Sequence, residues 1–141
     1  MVAPSIHPVD GDRCIWYPGE IREMDGGELA GLVLDVAVAA LLALNRPLGS
    51  REWFLIHAFG FLCPSLGPER AEKIVEATSA HFDDLEHDKR MLEVRSFVRK
   101  PVDDDAPMME GLLAAELERL APGVPALIER WCARCDEGGA K

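Results

Sequence analysis

Basic residues are scarce in this chain. Fifteen Lys and Arg stand against 25 Asp and Glu in 141 residues, a net charge of −10. A grip on nucleic acid or anionic lipid by charge alone is thereby excluded, because either would need a positive face. Aromatic residues are also few, with one tyrosine among them, and no basic patch interleaves with them as single-strand binding would require. There is no Walker A loop, no G-x-G-x-x-G, no G-x-S-x-G elbow and no H-E-x-x-H, so the usual signatures of phosphate loops, dinucleotide folds, serine hydrolases and zinc proteases are missing. The opening Met-Val-Ala-Pro-Ser-Ile-His-Pro lacks the basic and apolar regions of a secretory signal. A cytoplasmic location is therefore expected, with Cys14, Cys63, Cys132 and Cys135 reduced.

Long apolar runs are short as well. The most apolar stretch, Leu29 to Leu44, carries Asp35 near its middle. It is too short and too charged there to favour a bilayer, so no membrane partner is expected, and it reads as a core helix near the centre of the fold.

What is present is an ordinary globular balance, 48% apolar and 28% charged, in a length suited to one domain. The pattern predicts an all-α, single-domain bundle of about five helices over residues 27–137. An irregular or short-hairpin N-terminal arm over 1–26 and a flexible tail over 138–141 flank it. The first helix is expected over Glu28–Asn45, closed by Arg46-Pro47. The second, capped by Ser50, carries Trp53, Phe54, Ile56, His57 and Phe59 to about Leu62, and Pro64–Pro68 forms a turn. Pro68 suits a first helical position, and one long helix to Arg99 with a kink near 86–90 follows. Asp105 is a candidate cap for a helix beginning at Ala106-Pro107. A short last helix runs from Val124 to Cys135.

Three groups could carry chemistry. Cys132-x-x-Cys135 places two thiols one turn apart, half of a zinc site. The competing structural reading turns one thiol to the core beside Trp131 and the other to solvent. Asp83, Asp84 and His87 have helical spacing that could hold a metal from one face, yet no second carboxylate-x-x-His motif completes the site. Nearby Lys89 and Arg90 instead suggest a solvated, charged face. Asp35, Trp53 and His57 are the candidate lining of an inter-helix ligand pocket. A carboxylate in an apolar helix must find a base, a donor or solvent, and Arg51, His57 or a partner subunit are the candidates.

Two segments look like contact surfaces. Residues 101–120 hold six acids and one base, concentrated at Asp103, Asp104 and Asp105. Trp16 and Tyr17 form a compact aromatic group of a type favoured at interfaces. The leading expectation is a small acidic cytoplasmic protein that acts by protein–protein binding, as a regulator or a phage- or mobile-element-associated inhibitor. It would meet a basic protein surface, without direct nucleic-acid contact, as a monomer or homodimer and with no cofactor. The alternatives are a metal-binding helical domain or small metalloenzyme, with zinc as the candidate ion, and a small-ligand binder near His57.

Overall fold

A computed structural model of the chain describes Gly19 and residues 23–82, 85–98 and 106–139. Among these the fold is an all-α bundle of six helices: α1 (Gly26–Leu44), α2 (Arg51–Leu66), α3 (Pro68–Ala80), α4 (His87–Val98), α5 (Ala106–Leu120) and α6 (Val124–Gly139). The proposed hairpin or arm before residue 23, Trp16 and Tyr17 included, lies outside the described residues, apart from Gly19.

The sixth helix comes from dividing the expected long one. The chain leaves helix at His81, five residues before the expected kink near 86–90, and re-enters it at His87. Phe82 drives the break. It sits in the turn and buries its ring beneath three guanidinium groups, Arg46, Arg51 and Arg90, whose central carbons lie 5.9, 5.6 and 5.3 Å from the ring centroid. An apolar ring with cations over it is a favourable arrangement that a straight helix would not allow.

Helix ends differ from the expected ones in three further places. α1 starts at Gly26, because Asp25 caps it: its Oδ2 accepts from the amides of Gly27 (2.9 Å) and Glu28 (3.4 Å), satisfying two donors the helix leaves open. Ser50 stands at the head of α2 as expected, but in the left-handed region (φ 56°) with no side-chain cap bond. α2 passes through Pro64 to Leu66. Proline removes only the bond that the Gly60 carbonyl would accept, and the turn is made instead at Gly67, whose φ of 83° suits glycine. Finally, α6 continues past Cys135 to Gly139.

The centre of the bundle is α2, not α1. Phe54, Leu55, Ala58, Phe59 and Leu62 are all buried, and α2 packs on α3, α4 and α5. Against α5 the approach is close at Gly60, where an added methyl group would come 2.5 Å from Leu113 Cδ1. Leu34, Val38 and Leu42 of α1 join the same core, with Ile74 and Val75 of α3, Met91 and Val94 of α4, Leu117 of α5 and Ile128 of α6. α1 packs chiefly on α3 and α6, at the edge of the fold, because an aromatic-rich helix offers more area for burial than one built of Ala, Val and Leu.

Candidate functional site

The peripheral position of α1 leaves an apolar face uncovered. Leu34, Val38 and Leu42 turn inward. Leu29, Leu32, Val33, Val36 and Leu44 turn outward, with Val36 70% and Leu44 83% exposed. Leu29, Val33, Val36, Ala40 and Leu44 follow one another at intervals of three and four, so they form a single stripe along the helix. At a rise of about 1.5 Å per residue the stripe is about 22 Å long. It contains no charged residue. Single exposed apolar side chains need no explanation, but a contiguous apolar stripe of this length does.

Charges mark the margins of this face. Glu28 lies beside its N-terminal end, and Arg46 follows its C-terminal end with its guanidinium over Phe82 and Nη1 donating to the carbonyl of buried Ala43 at 3.1 Å. At the midpoint of α1, on the flank toward α3, Arg70 reaches Asp35. Its Nη2 donates to Oδ1 at 2.6 Å and its Nε to Oδ2 at 3.3 Å, and Nη2 also touches the Gly31 carbonyl at 3.4 Å. The Asp35 hydrogen bond raises the Arg70 pKa above its already high value. Asp35 thus meets a base as expected, but the base is Arg70. Arg51 instead stands over Phe82.

The other members of the proposed pocket are elsewhere. Trp53 and His57 lie against each other along α2 in a tilted contact, with ring centroids 5.5 Å apart and planes inclined at 42°. His57 Nδ1 lies 2.6 Å from the Trp53 carbonyl. A carbonyl only accepts, so Nδ1 carries a proton. A concavity of about 370 Å³ at the head of α2 is lined by Trp53, Arg51, Glu52, Glu86 and Arg90 among others. Another of about 310 Å³ lies between α2, α5 and α6, against Gly60, Pro64, Ile128 and Cys132. Asp35 and His57 line neither.

Cys132 is buried in the core and Cys135 is half-buried and packed against the same core, so neither thiol is turned to solvent as the structural reading of the pair expected for one of them. Burial pushes the Cys132 thiol up, aided by Asp136 and Cys135 and opposed by Arg70. Burial alone pushes Cys63 up to about 11. Thiols held neutral in this way are weak nucleophiles. Among the described residues no group of three His, Cys, Asp or Glu side chains could hold a metal ion. Of the other proposed metal set, His87 places Nδ1 3.0 Å from the Ser79 hydroxyl, while Asp83 and Asp84 lie outside the described residues. So do Asp103, Asp104 and Asp105.

Sequence reasoning missed two arginines. Arg90 is not part of a solvated face: it is 1% exposed, packed on Phe82, 3.7 Å from Glu86 Oε2 and 3.5 Å from the Ser79 hydroxyl. Arg95 reaches back to α3, its Nε 2.6 Å from Glu72 and its Nη2 3.6 Å from Glu76. No local signal marks either one, since their partners on α3 lie eleven or more positions away. The near-uniform apolarity of α1 gave no signal of its exposed face, since it suits a helix with neighbours on every side.

No family model matches the chain, and no curated protein and no solved structure is similar to it.

Proposed function

We propose that this is a non-enzymatic interaction protein that acts by docking a polypeptide on the outer face of α1. The observation that carries the reading is the uncharged stripe from Leu29 to Leu44 on an otherwise strongly acidic chain. Helix faces of this kind are read by partner helices through anchors at three- and four-residue spacing. By length and composition alone α1 could also cross a membrane. The salt bridge of Asp35 with Arg70 at its midpoint speaks for a protein surface instead, since charge at the centre of a span is costly. Asp103, Asp104 and Asp105, with Trp16 and Tyr17, are proposed as further contact residues on sequence grounds alone, so charge reversal of the three aspartates should slow association with a basic partner, most at low salt.

A photoreactive benzoylphenylalanine placed at Val33 or Val36 in living cells tests this. Covalent attachment to a polypeptide is expected at both positions, and not at the exposed Lys73 of α3. The adduct at Val33 is expected to vanish when Val36 is replaced by Glu. Attachment to lipid only, or no attachment, overturns the reading.

A further inference from the structure

We infer that the concavity between α2, α5 and α6 is a binding site for a small primary amine with an apolar body, held as its ammonium ion. No residue of α1 lines it, so the site does not depend on the role proposed for the outer face of that helix.

The concavity, about 310 Å³, lies against the last turns of α2, from Gly60 to Ser65. Proline at 64 has no N–H, so the Gly60 carbonyl lacks the helical donor it would otherwise have. Both residues line the concavity, and the carbonyl stands between them along the helix axis. Glycine at 60 adds no side chain to cover it. Packing accounts for the glycine, since a methyl group there would meet Leu113. It does not account for the proline, which is exposed and does not make the turn that Gly67 makes. What Pro64 leaves is a backbone acceptor available to a ligand's donor.

The polar part of the lining suits a cation. Glu129 of α6 brings a carboxylate and Ser65 a hydroxyl. No Lys, Arg or His stands among the described lining residues. The concavity also meets the C-terminal end of α2, the negative end of its dipole, and that last turn carries no basic residue of its own. An ammonium has three donors and no acceptor, which matches a carbonyl, a carboxylate and a hydroxyl. The rest of the lining is apolar, with Leu62 and Ile128 buried and Phe61 beside them, so the body of the ligand must be apolar as well. With one carboxylate in the lining, a monoamine fits better than a polyamine. The net charge of −10 draws small cations toward the chain at long range.

Amide NMR titration of the isotope-labelled full chain with phenethylamine at neutral pH tests the inference. Phenethyl alcohol and hydrocinnamate serve as the neutral and anionic comparisons. The amine, with about nine non-hydrogen atoms, is expected to bind with a Kd on the order of 1 mM, shifting the amides of Gly60 and Ser65 on α2 and of Ile128 and Cys132 on α6. The alcohol should bind about tenfold more weakly and the acid not at all. Glu129→Gln, at an exposed position, should weaken the amine about tenfold and leave the alcohol unchanged. Pro64→Ala restores the amide that occupies the Gly60 carbonyl, so it should strengthen the helix yet weaken the amine about fivefold. A chain that gives no saturable shift overturns the inference. So do shifts scattered over the acidic surface, which mark unspecific attraction of a cation, and an amine held no better than the alcohol. An amine that binds the Pro64→Ala chain unchanged overturns the part assigned to the Gly60 carbonyl.

Discussion

Arg70 and Asp35, thirty-five positions apart, form a two-pronged ion pair that ties the midpoint of α1 to α3, with contacts of 2.6 and 3.3 Å. The pair does two things for the proposed interface. It neutralises the one carboxylate in the apolar body of α1. It also fixes which flank of a nearly uniform helix faces α3, and so which flank is left outward.

The ion pair is expected to contribute modestly to stability. The Arg70 side chain is 41% exposed, so solvent screens the attraction, while the two-pronged geometry strengthens it. A coupling of about 1 kcal/mol is expected from this combination. In urea denaturation, Asp35→Ala and Arg70→Ala should each lower stability, and the double variant should cost little more than either single one. Strictly additive losses would show that the pair is energetically idle.

Arg90 should tolerate an apolar replacement better than truncation. Its stem and guanidinium fill the space over Phe82, while its partner Glu86 is largely exposed, so removing the cation does not strand a buried carboxylate. Arg90→Ala leaves a cavity and is expected to cost about 3 kcal/mol, whereas Arg90→Met fills the volume and should cost about 1 kcal/mol. Guanidinium denaturation midpoints distinguish the two. Equal losses would mean that the charge, rather than the packing, holds the α3–α4 corner.

Cys63 provides a test of burial through pH. Its thiol titrates near 11 instead of the ordinary 9.0 because desolvation penalises the thiolate. The folded state thus holds the proton more tightly than the unfolded one. The stability this contributes is fully present below pH 9 and is lost as pH rises from 9 toward 11. At pH 8 the thiolate fraction is about one in a thousand, so alkylation of native Cys63 should run at least about a hundredfold slower than that of a free cysteine. Mass-spectrometric mapping of iodoacetamide-treated protein reads this directly. Rapid labelling at Cys63 under native conditions would show that the thiol is not desolvated.

The helical class, the start of α3 at Pro68 and the start of α5 at Ala106 were legible in the sequence, because they rest on local rules: apolar periodicity and proline at a first turn. The division between α3 and α4 was not, since no Gly or Pro marks it and it follows from Phe82 meeting arginines of α2 and α4. The place of α1 was misread for a related reason. Its amino acids suit burial on every side, and nothing along the chain says how many neighbours a helix will have. That number was set by competition among helices for the core, in which α2 offered phenylalanines and α1 offered valines and alanines. Apolarity is a property of the residues themselves. Which face of α1 remains open to a partner depends on Arg70, Phe54 and the rest of the bundle, and only the folded chain decides it.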